Sequence, residues 1–105
     1  MKTALPLVDE ETRPLEVTER HVDAFTALAH PSRLRVFFFL AQSKREVSAG
    51  DIQAAVGIPA PTLSHHLGLL RRAGLVQSRR EERHVYYAVR PDRVSELVRL
   101  LTDCC

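Results

Sequence analysis

What most constrains the folding of this chain is a pair of short helical patterns that meet at one glycine. In "SAGDIQAAVG", Asp51 follows Ser48 by three residues, close to a capping box. Ile52, Ala55 and Val56 then give one apolar face before Gly57 ends the pattern. In "IPAPTLSHHLGLLRRAGL", prolines stand at the start, where a missing N–H does no harm. Leu63, Leu67 and Leu70 recur at spacings of four and three, and Gly74 closes the run. These features predict helices over about 48–56 and 60–73, joined at a glycine, the second ending in Arg71 and Arg72. Two short helices in that relation form a helix-turn-helix pattern.

The flanks complete the organisation. Residues 1–17, with Pro6 and Pro14 among acids, read as an irregular arm, and residues 18–105 as one domain. Thr18 is an N-cap candidate for a helix over about 19–30, with Glu19 in its first turn, where a carboxylate suits the helix dipole. Val22, Phe25, Leu28 and Ala29 supply its apolar stripe. Pro31 breaks the chain, and Ser32 can cap a second helix over about 32–42. Its "RLRVFFFLAQ" has almost no polar face, so it is expected at the buried centre. After Gly74, "LVQSRRE" and "RHVYYAV" alternate β-branched and aromatic residues around a charged turn, predicting a hairpin over about 75–90. Tyr86 and Tyr87 should point to opposite faces of it. The helical period returns in "DRVSELVRLL", predicting a last helix over about 91–103 with the stripe Val94, Leu97, Val98 and Leu101 and an Arg99–Asp103 pair. The fold class is mainly α with a β-hairpin wing (α+β), a winged helix-turn-helix.

Composition narrows the function. At 105 residues the chain suits a single domain with a modest core, which dimerisation would help to stabilise. Gly is sparse and Trp absent, giving no sign of a Gly-rich nucleotide loop. The net charge is only +2, but it is unevenly spread: residues 1–24 sum to −3, while residues 62–90, with six arginines against Glu81 and Glu82, sum to +4. The second region attracts polyanions and the first repels them. The opening segment is too short and acidic for a secretory signal, and "VFFFLA" is far below the ~18 residues needed to cross a membrane. A cytoplasmic protein without membrane partners is expected, in which Cys104 and Cys105 stay reduced. No grouping of nucleophile, base and oxyanion donors is apparent, which disfavours an enzyme.

The polar residues at the start of the 60–73 helix carry the chemistry. An α-helix fits the major groove of DNA, and its N-terminal part needs short polar side chains that reach phosphates and base edges. Thr62, Ser64, His65 and His66 stand there. Arg79, Arg80 and Arg83 in the wing supply charge for the backbone or an adjacent minor groove. Arg71 joins this set, or else complements the dipole at a helix C-terminus as Arg72 can. Adjacent His65 and His66 point about 100° apart on a helix and cannot readily share one metal ion.

"LAHPSRLRVFFFL", "APTLSHHLGLLRRAGLV" and "RREERHVYYAV" resemble, in order and spacing, the winged helix-turn-helix repressors of the ArsR/SmtB family over roughly residues 19–103. The resemblance implies a homodimer, built through its first and last helices, that binds double-stranded DNA at an inverted repeat and leaves it when an inducer arrives. The wing turn of such proteins commonly carries a Gly near the position of Glu82. Two of the family's inducer sites are unmatched: "VSAGDI" has no cysteine and the last helix has no histidine. Cys104 and Cys105 remain as the soft-ligand pair, and some similar members carry Cys-Cys at that place. The inducer implied is As(III) or a methylated arsenical, with Sb(III) as a relative, and no organic cofactor. Inorganic As(III) commonly takes three sulfurs. The third would come from solvent, the partner subunit, a small-molecule thiol or a cysteine beyond residue 105, whereas a methylated arsenical needs only two. A thiol-redox repressor and a winged-helix protein-interaction module are the competing readings.

Overall fold

A computed structural model describes residues 16–103. The elements run α1 (Glu19–Leu28), α2 (Pro31–Ser43), β1 (Val47–Ser48), α3 (Ala49–Val56), α4 (Ala60–Arg72), β2 (Val76–Glu81), β3 (His84–Val89) and α5 (Pro91–Thr102). The three strands form an antiparallel sheet in the order β1-β3-β2. This is the winged helix-turn-helix expected from the pattern, with one strand added. β1 is only two residues long, too short to show a period, and it pairs Val47 with Tyr87 and Ser48 with Tyr86. In the hairpin, Val76 faces Val89 and Glu81 faces His84, which leaves Glu82 and Arg83 as the tip.

The junction between α1 and α2 departs from expectation for a stereochemical reason. The residue before a proline is driven out of the helical region, and His30 is extended at φ −145° and ψ 126°. Helix α1 therefore stops at Leu28 rather than residue 30. His30, and not Ser32, caps α2: its Nδ1 accepts the Ser32 N–H at 3.1 Å, with Pro31 in the first helical position. At the start of α1 the Thr18 backbone N–H donates to His21 Nδ1 at 3.0 Å. Ser48 caps α3 by accepting the Asp51 N–H at 3.1 Å.

The core is small and centred on the two helices of the motif. Leu40, Ile52, Leu67, Leu70, Leu75 and Val76 are fully buried, with Val36 and Val47 beside them. Tyr87 packs on this cluster. Tyr86 lies on the opposite face, under the Arg79 guanidinium at 5.0 Å. The expectation that α2 is buried all round is corrected. Val36 and Leu40 face the core and Phe37 and Phe39 are half-buried, but Leu34 and Phe38 are exposed, Phe38 at 59%. A domain this thin covers one side of a helix only. Helix α5 buries just Leu97 of its stripe; Val98 and Leu101 are exposed. It is fastened to α1 by an Arg20–Glu96 ion pair, and the Arg90 N–H just before it donates to Leu75 O at 2.9 Å. Its Arg99–Asp103 pair spans 3.9 Å. No described helix is long and apolar enough to cross a membrane.

The end of α4 sets the direction in which the wing leaves. Gly74 N–H donates to Arg71 O and Leu75 N–H to Leu70 O, both at 3.0 Å, the two bonds of a Schellman cap. Gly74 has φ 81°, and a Cβ there would meet the Arg93 guanidinium. Gly68, in the middle of the same helix, is ordinary helical backbone whose added Cβ would touch only Arg72 Nη1 at 3.9 Å. Opposite outcomes are therefore expected in thermal unfolding. Gly74→Ala should destabilise by about 1–2 kcal/mol through its left-handed backbone, and Gly68→Ala should stabilise by about 1 kcal/mol through helix propensity.

Candidate nucleic-acid interface

Helix α4 divides into two faces. Leu63, His66, Leu67 and Leu70 form the buried stripe, while Thr62, Ser64 and His65 are exposed near the N-terminus and Arg71 is exposed in the last turn. Pro59 caps the helix and Pro61 lies in its first turn, so positions without a backbone donor begin it. The open N-terminal half thus presents two hydroxyls and one imidazole, a set able to donate to phosphates and to either kind of groove edge.

His66 does not belong to that set. It was expected on the DNA-facing surface, but only 6% of it is exposed. The reason is positional: residues 63, 66, 67 and 70 are one helical stripe, so His66 shares the inward face with the leucines. That spacing was present in the sequence, where the adjacent His65 obscured it. His66 Nδ1 lies 3.5 Å from Arg33 Nη1, and its ring lies 4.9 Å from that of His30. Arg33 in turn donates through Nε to Ala27 O at 2.7 Å. Burial above all, then the charges of His30, Arg33 and His65, holds the His66 pKa below the usual 6.5.

The wing arginines are not equivalent. Arg80 and Arg83 are exposed on the outer strand and the tip. Arg79 is also exposed, but its guanidinium is occupied. It donates to both carboxylate oxygens of Glu46 at 2.7 to 3.1 Å and to Glu81 at 2.9 Å while covering Tyr86. These hydrogen bonds raise the Arg79 pKa further above its ordinary value, and the same bonds to Arg79 hold Glu46 below the usual carboxylate range. Arg79 braces the wing against the loop before β1, a role that sequence spacing could not reveal because Glu46 lies 33 residues away. At the tip, Glu82 takes the left-handed conformation at φ 56°. Turn geometry favours glycine at such a position.

A second arginine brace, Arg35, donates to Val56 O at 2.8 Å and so ties α2 to the end of α3. Cys104 and Cys105 lie outside the described residues. Among the described residues no group of three or more His, Cys, Asp or Glu is placed to hold a metal ion.

This geometry has close counterparts. A family model described as "Helix-turn-helix domain" matches residues 28–79. The chain is 39% identical to the Biofilm growth-associated repressor of Agrobacterium fabrum, over 92% of this chain and 78% of that protein. It is 36% identical to the Transcriptional repressor SmtB homolog of Synechocystis, over 91% and 71%. Among solved structures it superposes on the homodimeric winged helix-turn-helix DNA-binding domain Mb0332 of Mycobacterium bovis, a possible ArsR-family regulator. There the TM-score is 0.66 with 33% identity, covering 81% of this chain and 80% of that one. The chain belongs to the ArsR/SmtB family. As in its relatives, the activity is transcriptional repression through DNA binding, not catalysis. Another ArsR/SmtB-like neighbour is described as a possible transcriptional regulator for arsenical resistance, at TM-score 0.67 and 29% identity over 75% of this chain and 80% of that one.

The two kinds of wing arginine should separate in salt titrations of DNA binding. Arg80→Ala and Arg83→Ala should each reduce the slope of log affinity against log salt by about one. Arg79→Ala should change it less. Glu46→Ala, which frees the Arg79 guanidinium for phosphate, should steepen it.

Proposed function

We propose that this ArsR/SmtB repressor is a homodimer that binds an inverted-repeat operator and is released from it by As(III), a methylated arsenical or Sb(III) held at Cys104 and Cys105. The observation that carries the DNA-binding part is the division of α4. Its buried stripe seats it in the core while Thr62, Ser64 and His65 stand open at its N-terminal half, beside the cationic wing with Arg80 and Arg83. Thr62, Ser64 and His65 enter the major groove, Arg71 reaches phosphate, and the wing follows the backbone toward the minor groove. A DNA-binding regulator of this kind works in the cytoplasm.

The dimer forms through α1 and α5. Val22 on α1 and Val98 and Leu101 on α5 are all more than half exposed, an apolar surface carried on two helices joined by the Arg20–Glu96 pair. A second copy would bury it, and the Mb0332 domain, 33% identical to this chain, is described as homodimeric. Leu101→Glu combined with Val98→Glu should shift the protein to monomer in analytical ultracentrifugation and weaken operator binding, because a single half-site remains per particle.

The inducer reading rests on chemistry and kinship. Two adjacent thiols follow the helix that carries the dimer surface, and soft thiolate donors select thiophilic ions. The resemblance to members with a Cys-Cys pair there, and a neighbour described for arsenical resistance, point the same way. A helix C-terminus and Asp103 both oppose thiolate formation. Strong metalloid binding can drive that deprotonation, whereas oxidation by peroxide needs the thiolate beforehand. With a coupling of about 1–3 kcal/mol, arsenite should cut operator affinity roughly 5- to 150-fold. In fluorescence anisotropy the Cys104→Ser, Cys105→Ser variant should bind operator normally and ignore arsenite. Release that persists in that variant would remove the site assignment, and release by peroxide alone would favour a redox repressor.

A further inference from the structure

Three histidines of this chain turn Nδ1 toward a donor within the fold. His21 Nδ1 accepts from Thr18 N–H at the start of α1, and His30 Nδ1 accepts from Ser32 N–H at the start of α2. His66 Nδ1 on α4 faces the Arg33 Nη1 donor. A guanidinium can only donate, so at His66 Nδ1 is the acceptor, the neutral ring carries its hydrogen on Nε2, and an added proton must go to Nδ1. Protonation then turns an acceptor into a donor that points at another donor.

At His66 the consequence reaches the DNA-reading helix. Arg33 bridges from Ala27 O at the end of α1 to His66 on α4, and the His30 ring lies against the His66 ring. The groups facing this joint are His30 and Arg33 from α2, His65 and Arg72 on α4 itself, and Asp23 on α1, which lines with Arg33 and Arg72 the hollow beside it. Asp23 is the one acid among them, and no ion pair joins it to Arg33 in the described residues. A proton on His66 would therefore sit, almost out of solvent, among more positive than negative groups.

We infer that His66 is a positioning residue of the DNA-reading helix, held by Arg33 and His30 as a neutral hydrogen-bond acceptor, and that protonating this joint weakens operator binding. The inference rests on α4 being the helix that reads DNA. It makes acid a second input to the repressor, separate from the cysteines. The lowered pKa of His66 gives the direction for stability. The folded chain binds fewer protons than the unfolded chain below the ordinary histidine value of 6.5, so the contribution is present above that value and is lost as pH falls beneath it.

The test is operator affinity of the full chain by anisotropy at constant ionic strength from pH 8 to 5. The native chain and His66→Gln are compared with each other, so the pull of the exposed His65 ring on phosphate, common to both, cancels in their difference. Relative to His66→Gln, the native chain should lose affinity as pH falls, by up to about tenfold per pH unit once His66 protonates, as when binding requires one more neutral imidazole. His66→Gln keeps an acceptor for Arg33 but does not titrate, so whatever its affinity at pH 8 it should lose most of this pH dependence. The same pH dependence in the native chain and in His66→Gln overturns the inference and leaves DNA binding standing. No operator binding at pH 8 by the native chain would overturn both. Imidazole 15N shifts of the native protein give an independent reading should the variant fail to fold: at pH 8 His66 should be the Nε2–H tautomer, and an Nδ1–H tautomer contradicts the inference.

Discussion

Everything in this molecule depends on α4 being held from one side only. Leu63, His66, Leu67 and Leu70 are buried against α1, α2, α3 and the sheet, and that stripe leaves Thr62, Ser64, His65 and Arg71 exposed on the other face. A helix buried all round could not enter a groove, and one held by fewer side chains could not keep its angle there. The Schellman cap finishes the job at the far end. Because Leu75 returns its N–H to Leu70 and is itself fully buried, the wing departs in a fixed direction and its tip stands in a fixed relation to Thr62 and His65.

Electrostatics then sorts a surface that composition alone treats as uniform. The stretch from 62 to 90 is rich in arginine, but its members have different occupations. Arg79 spends its guanidinium on Glu46, Glu81 and the Tyr86 ring, while Arg80 and Arg83 face solvent. The braced arginine fixes the sheet that carries the open ones. A wing without it would keep its charge yet lose its aim, since exposed ion pairs owe their worth to geometry and to networks rather than to number.

Much of this was legible beforehand because the signals were local. The helix-turn-helix follows from Ser48, Gly57, Gly74 and the leucine spacing, and the hairpin from strand residues around a charged turn. What escaped was set by partners distant in sequence or by neighbours along the chain. The Glu46–Arg79 tie spans 33 residues, and β1 has no period to read. A polar side chain beside His65 suggests an exposed pair, although the 63-66-67-70 register of His66 is that of the core. The aromatic run in α2 suggested complete burial, but the domain has no second layer to cover Leu34 and Phe38. The stop at Leu28 was available in principle from Pro31, whose ring restricts His30.

The placement of α5 ties it directly to the end of α4. The helix is anchored at few points: Leu97 in the core, Glu96 on Arg20, and the Arg90 N–H on Leu75 O. That last bond falls on the same residue whose N–H closes the cap of α4, and Arg93 lies against Gly74 in the middle of that cap. Any displacement of α5 must therefore break these bonds or carry the end of the DNA-reading helix with it. In a dimer joined through α1 and α5, a small rotation at the interface becomes a change in the separation of two α4 helices. DNA tolerates little error in that distance, because successive major grooves on one side of the duplex recur every ~34 Å. The proposed cysteine site would need no long relay to the operator, since α5 and α4 share the capping residue Leu75.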